Sequence, residues 1–251
     1  MSGHSRWAGI KHKKAAIDAK KGKTFTKLIK EITVAARDGG KDIDSNARLR
    51  SAVEAAKAAN MPSENVKKAI QRGTGELPGV NYEETSYEGY GPGGVAVKVD
   101  VLTDNKNRSA SEIRNIFSKR GGNLGESGCV GWMFNKKGYI SIAKGLVDED
   151  KLLELALDAG AEDVKSEDED FYEVITQPSG YETVKKVLED NKIQIFSSEI
   201  TLVPSTYVKL EGRHAEQMIA LMNDIEEHDD VQNVYANFDI SKDLLKKAEE
   251  Q

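Results

Sequence analysis

Around residues 73–80 the apolar pattern of the chain changes its period, and this change constrains the fold more than any other feature. Before it, Phe25, Leu28, Ile29, Ile32 and Ala36 recur at helical spacing. A second stripe runs through Leu49, Ala52, Val53 and Ala56, with Asp44 or Ser45 placed to cap it, and a third through Val66, Ala69 and Ile70, with Pro62 in its first turn. Gly39-Gly40 and Gly73 stop the first and third helices. After the change, Val95, Val97, Val99 and Val101 alternate with Ala96, Lys98 and Asp100, which predicts a strand. Segment 73–80, with three glycines and Pro78, reads as a linker.

Beyond the linker, single helices alternate with strands. Ala110, Ile113, Ile116 and Phe117 mark one helix face, and residues 151–159 and 181–190 two more helices. Met218, Ile219, Met222 and Ile225 mark the last long one. Strands are expected at 129–134 and 139–143 around a turn at 135–138, and at 171–176, 193–196, 200–203, 207–210 and 231–238. This order argues for α+β layers with helices on one face of each sheet. A short echo, Ala161-Glu162-Asp163-Val164 and His228-Asp229-Asp230-Val231, follows two of the helices and suits a pair of ferredoxin-like units.

Charge is divided along the same line. Residues 1–80 hold 17 Lys and Arg against 8 Asp and Glu, whereas the remainder holds 19 against 34. In the first 30 residues nine basic side chains face one acid, Asp18. A basic head on an acidic body implies a polyanion met by one end only. The candidate nucleic-acid contacts are His4, Arg6, Trp7, Lys11, His12, Lys13, Lys14, Lys20, Lys21, Lys23, Lys27 and Lys30. Trp7 is placed to stack on an unpaired base. Residues 1–8 read as an arm and 11–21 as a short Lys-rich helix. Lysines pair with phosphate without reading bases, so this segment supplies affinity rather than sequence choice. A weaker patch follows at Asn105, Lys106, Asn107, Arg108, Arg114, Lys119 and Arg120, relevant only if the fold turns it toward the N-terminal region.

Other motifs carry less. Gly89-Tyr90-Gly91-Pro92-Gly93-Gly94 matches the dinucleotide pattern, but a strand follows it instead of a helix and Pro92 lacks an amide donor; a turn between strands is expected, with Tyr90 as a candidate nucleic-acid contact. Gly125-Glu126-Ser127-Gly128 lacks the closing glycine of a nucleophile elbow, since Cys129 stands there and is expected to pack. The four histidines form no zinc motif, and the single cysteine fits a reducing compartment. The acidic runs 162–170 and 226–230 read as solvated loops. No catalytic residue, metal or cofactor is expected, no membrane partner and no small-molecule substrate. The N-terminus has no apolar leader core, and the expected location is the cytoplasm.

Several blocks, taken together, resemble one family. Gly3-His4-Ser5-Arg6-Trp7 with Ile10-Lys11-His12-Lys13-Lys14 opens the series. Phe25-Thr26-Lys27-Leu28-Ile29-Lys30-Glu31, Asn60-Met61-Pro62 and Tyr87-Glu88-Gly89-Tyr90-Gly91-Pro92-Gly93-Gly94 follow. Asp104-Asn105-Lys106-Asn107-Arg108, Gly121-Gly122-Asn123-Leu124-Gly125 and Pro204-Ser205-Thr206 complete it. They resemble the YebC-type proteins, described as probable transcriptional regulators and including the mitochondrial translational activator of cytochrome oxidase subunit I. Arg6 stands where the family commonly has lysine, and Gly9 where it has asparagine, which loosens the arm there. The resemblance implies an α+β fold: an N-terminal helical bundle (1–75), an α+β domain in two pieces (81–134 and 206–240), and a third domain (135–205) inserted into it. It implies a cytoplasmic, non-enzymatic regulator of gene expression. Duplex DNA is the first expected partner, and ribosomal RNA or the translating ribosome the alternative.

Overall fold

The computed structural model describes residues 21–241 and Leu244. Helices α1 (Lys21–Gly39), α2 (Ala47–Ala58) and α3 (Ser63–Gly73) pack their predicted stripes together around Ile32, Leu49, Val53 and Val66. Ala35, Ala36, Ala52, Ala56 and Ala69 fill the seams, so the helices approach closely. A Cβ on Gly73 would lie 2.3 Å from the Thr33 carbonyl oxygen, so the end of α3 rests directly on the backbone of α1. The cap of α2 is Asn46 rather than Asp44 or Ser45. Its Oδ1 accepts from the Leu49 amide at 3.0 Å, and its Nδ2 donates to the carbonyls of Ala35 and Gly40 at 2.8 and 2.9 Å. One amide side chain thus closes the end of α1 and the start of α2, which a lone carboxylate or hydroxyl could not do.

The first sheet begins with a hairpin of β1 (Glu83–Tyr90) and β2 (Ala96–Thr103), in register from Glu83 opposite Thr103 to Tyr90 opposite Ala96. Its turn is the glycine-rich motif: the Gly91 amide donates to the Val95 carbonyl at 2.7 Å, and Gly93 and Gly94 take φ of 73° and 79°. Residues 87–90 lie in β1 itself. Helix α4 (Lys106–Lys119) leads to the short edge strand β3 (Asn123–Leu124). After the inserted segment, β8 (Val208–Leu210), α7 (Gly212–Glu226) and β9 (Val231–Ala236) return, and the four-stranded order is β3-β1-β2-β9. Helices α4 and α7 cover one face, burying Phe117, Ile113, Met218, Leu221 and Ile225 against the valines of β2.

The inserted unit is β4 (Phe134–Ala143), α5 (Glu149–Asp158), β5 (Asp163–Lys165), β6 (Phe171–Thr176), α6 (Tyr181–Asp190) and β7 (Ser197–Pro204). All neighbours are antiparallel and the order is β5-β6-β4-β7, the βαββαβ arrangement of a ferredoxin-like unit. The architecture is therefore α+β, with a helical N-terminal region and one sheet domain inserted into another.

Four local expectations are corrected. The turn expected at 135–138 is interior to β4: Gly138 pairs with Thr176 and Ile200, and a Cβ there would lie 2.2 Å from Thr176 Oγ1 and 2.8 Å from Tyr181. The glycine admits α6 against the strand instead of turning the chain. Residues 129–133 form a turn and a 3₁₀ segment, Gly131–Met133, before β4. Residues 193–196 are loop, and β7 starts at Ser197. The last strand divides at Asn237 into β9 and β10 (Phe238–Ile240), which pairs in parallel with β8. Asn237 Oδ1 accepts from the Ala96 amide at 2.7 Å, and its carbonyl accepts from Val208 at 2.7 Å, so one residue moves the chain from one sheet to the next.

Candidate functional site: the lysine-faced joint of α1

Lys23, Lys27 and Lys30 lie on one face of α1 by the spacing i, i+4, i+7. That face meets the C-terminal end of α7. Lys27 Nζ donates to the Glu226 carbonyl at 2.6 Å, Lys23 to that of Glu227 at 3.2 Å, and Lys30 to that of Asp229 at 2.9 Å. Helix α7 has no basic residue in its last turn, so lysines distant in sequence neutralise its negative end.

Lys30 goes deeper. It is 7% exposed, and its ammonium lies 2.5 Å from Asp230 Oδ1 and 5.6 Å from the centre of the Tyr82 ring. Asp230, immediately before β9, is 3% exposed. Its Oδ2 accepts from Ser109 Oγ (2.7 Å), Arg108 Nη2 (2.8 Å) and Thr103 Oγ1 (3.0 Å), and its carbonyl accepts from the Leu102 amide (2.8 Å). Burial alone would raise its pKa; the hydrogen bonds from Lys30, Arg108 and Ser109 outweigh it and hold the carboxyl well below the usual carboxylate range. The acidic run at 226–230 is thus no solvated loop throughout, because it ends in a buried acceptor.

Arg108 stands in the first turn of α4, whose Asn105 cap accepts from the Arg108 amide at 3.0 Å. Its guanidinium also reaches Asp104 at 2.8 Å, and Asp230 first and Asp104 second raise its pKa further. The fold therefore does turn the second basic patch, through Arg108, toward the N-terminal helices. Between α1 and the first sheet lies a cleft of about 560 Å³, whose walls include Lys23, Tyr82, Arg108, Glu112 and His228.

Glu112, His228 and Asp230 bring possible metal-ligating atoms within 4.8 Å of one another. The hydrogen bonds oppose a metal there. His228 Nδ1 accepts from the Asp230 amide at 3.1 Å, which puts the neutral ring's proton on Nε2, 2.8 Å from Glu112. Nε2 then offers no lone pair, and both Asp230 oxygens already hold donors.

Of the residues read as nucleic-acid contacts, Lys23, Lys27, Lys30 and Arg108 meet at this joint. Tyr90 lies apart from it at the end of β1, 42% exposed, with its hydroxyl donating to the Cys129 carbonyl at 3.3 Å. His4, Arg6, Trp7, Lys11, His12, Lys13, Lys14 and Lys20 lie outside the described residues; Lys21 opens α1, and its side chain is not described. The residues that sequence reasoning missed are Asp230, His228 and Glu112. The echo His228-Asp229-Asp230-Val231 was the signal that pointed at two of them.

Comparison with known proteins covers the same ground. Residues 5–76 match the family described as "TACO1/YebC protein N-terminal domain", and residues 82–238 that described as "TACO1/YebC second and third domain". A "probable transcriptional regulatory protein" of Syntrophobacter fumaroxidans is 60% identical over 98% of both chains. One of Endomicrobium trichonymphae is 58% identical over 98% of this chain and 99% of its own. The crystal structure of a conserved hypothetical protein from Aquifex aeolicus is similar with a TM-score of 0.77 and 49% identity, covering 90% of this chain and 93% of that one. The two family models together cover the helical region and the sheet-bearing remainder, and the chain belongs to the TACO1/YebC family.

Proposed function

We propose that this chain is a non-enzymatic, nucleic-acid-binding regulator of gene expression, working in the cytoplasm, whose basic N-terminal segment makes the phosphate contacts. The observation that carries this reading is the division of charge: nine basic groups to one acid in the first 30 residues, on a chain that is acidic after residue 80. The joint sharpens it. Because Lys23, Lys27 and Lys30 already bond the end of α7 and the residues after it, the phosphate contacts fall to Arg6, Lys11, Lys13, Lys14, Lys20 and Lys21, with His4, His12 and Trp7 beside them. Curated relatives bearing the name "probable transcriptional regulatory protein" support a role in transcription, for which duplex DNA is the expected target.

A second reading, ribosomal RNA or the translating ribosome, is supported by a separate observation. Arg37, Arg48 and Arg50 of the N-terminal helices bond the Tyr82 carbonyl, Glu31 and the Asp44 carbonyl within the chain, which leaves fewer arginines to read base edges in a duplex groove. Lysines that hold backbone without reading bases suit RNA as well as duplex DNA.

Sedimentation of a lysate on a sucrose gradient separates the two. Wild type is run beside a variant with Lys11, Lys13 and Lys14 changed to Ala, with and without DNase. Co-migration with ribosomes that resists DNase and is lost in the variant assigns the chain to translation. Absence from ribosomes, with promoter binding lost in the variant, assigns it to transcription. If about six phosphates are neutralised, log affinity falls against log salt with a slope of about −5 on duplex and about −4 on single strands. A flat response would overturn the electrostatic reading of either kind.

A further inference from the structure

Away from the joint, where β1 ends and β4 begins, two aromatic rings stand in solvent. Trp132 is 76% exposed and Tyr90 42%. Both bond one acceptor: Trp132 Nε1 donates to the Cys129 carbonyl at 3.2 Å and the Tyr90 hydroxyl to the same oxygen at 3.3 Å. The loop that carries Trp132 is held from below. The carboxylate of Glu88, a buried side chain of β1, accepts from the amides of Val130 and Gly131 at 2.8 and 2.7 Å. A Cβ on Gly131 would lie 2.9 Å from Glu88 Oε1, so a side chain there would press on the carboxylate. Val130 and Phe134 on either side are anchored in a small core with Ala96, Met133, Leu202 and Tyr235. The rings are thus pre-positioned, and little freedom remains for a ligand to remove.

We propose that Tyr90 and Trp132 form a docking platform for an arginine-bearing basic segment of a partner protein. Aromatic faces accept a planar cation, and the charges around them select for one. Glu126 begins the turn that ends at Cys129, whose amide donates to the Glu126 carbonyl at 3.2 Å, and Glu88 lies beneath. Burial first, then the charges of Glu88 and Glu126, push the Cys129 thiol up, as expected where the local field is negative. Lys98, the cation that acts on Glu88, is already paired with Asp100. This setting disfavours phosphate, so Tyr90 passes, under this proposal, from the nucleic-acid contacts to a protein partner. A guanidinium suits it better than an ammonium, because its flat, weakly hydrated plane stacks on aromatic faces.

The test uses the full chain with Trp7→Phe, which leaves Trp132 as the only indole. Nona-arginine, nona-lysine and a nine-residue oligouridine are titrated against Trp132 emission and, in parallel, as labelled probes by anisotropy. The expected result is that nona-arginine shifts the emission and binds more tightly than nona-lysine by about 2- to 5-fold for each ring engaged. Trp132→Leu, which alters no buried contact of the core, should bring the two peptides toward equal affinity. Glu126→Gln should weaken both peptides alike. Equal affinity for the two peptides in the parent chain, or an arginine preference undiminished in Trp132→Leu, would reduce the attraction to the acidic surface at large and overturn the platform. An emission shift with oligouridine alone would give the platform to nucleic acid instead. The arm variants are untouched by either outcome, so this test stands or falls apart from the nucleic-acid proposal.

Discussion

Asp230 and Glu88 are both buried carboxylates, and each holds a junction of the molecule. Asp230 is satisfied by side chains that come from three places: Lys30 of α1, Thr103 at the end of β2, and Arg108 and Ser109 of α4. Glu88 is satisfied by backbone amides of a single loop. The first junction joins separate elements through full charges, whereas the second shapes one loop through dipoles. Opposed charges can be lost one at a time, by substitution or protonation, and each loss leaves an unpaired partner in a dry place. Amide dipoles stay where the chain puts them, so the loop at Glu88 should respond to substitution but scarcely to salt.

The largest effect is expected at Asp230. Asp230→Ala leaves Lys30 buried without its counter-charge and should cost about 3–5 kcal/mol, measured by urea unfolding. Hydrogen exchange should show α1 losing protection before the helices around Phe117 and Met218 do. Acid should imitate the substitution. The folded-state pKa of Asp230 is depressed, so its contribution is complete above the unfolded value, about 4, and drains away as pH falls below it. Asp230→Asn, which carries no titrating proton, should flatten the stability curve in that window. An equally steep acid loss in Asp230→Asn would remove Asp230 from this role.

A smaller effect is expected at Glu88. Glu88→Ala leaves the Val130 and Gly131 amides without their acceptor, at about 1–3 kcal/mol. Glu88→Gln keeps one acceptor oxygen and should recover part of the loss. The direct readout is Trp132, whose emission anisotropy in the Trp7→Phe chain should fall as the loop loosens. Unchanged anisotropy in Glu88→Ala would show that the core at Val130 and Phe134 holds the loop by itself.

The two junctions also differ in how far the sequence announces them. The helical stripes through Ile32 and Leu49 and the alternation at Val95–Val101 were legible because periodicity is local: the burial of Ile113, Phe117 and Met218 follows from spacing alone. Asp230 was not, because it closes an acidic run in which Glu227 and Asp229 face solvent, and its partner Lys30 is 200 residues away. Lys30 itself sits in a row of lysines that composition cannot divide into those spent inside the molecule and those left to meet phosphate. Gly138 was misread for a related reason. A glycine beside lysines has the composition of a turn, and only the approach of Tyr181 and Thr176 shows that it serves packing. Trp132 shows no signal of exposure, since tryptophan between glycine and methionine reads as core.

The lysines at the end of α7 set the smallest effect and the closest comparison. Lys23 and Lys27 bond the carbonyls of Glu227 and Glu226, so they meet the partial charge of a helix end in a setting more open to water than Lys30. Each of Lys23→Met and Lys27→Met should cost about 0.3–1 kcal/mol at low salt, the range for a cation at a helix C-terminus, and less as salt rises. Lys30→Met removes a counter-charge that is buried with its partner, and its cost should hold nearly constant over the same salt range. Methionine keeps the apolar stem in each case, so the contrast isolates the ammonium. If the Lys23 and Lys27 variants matched Lys30→Met in size and salt response, the joint would be one continuous buried interface rather than a buried pair with an electrostatic rim. If they also weakened nucleic-acid binding as strongly as changing Lys11, Lys13 and Lys14, then phosphate would be drawing on the very lysines that hold α1 in place.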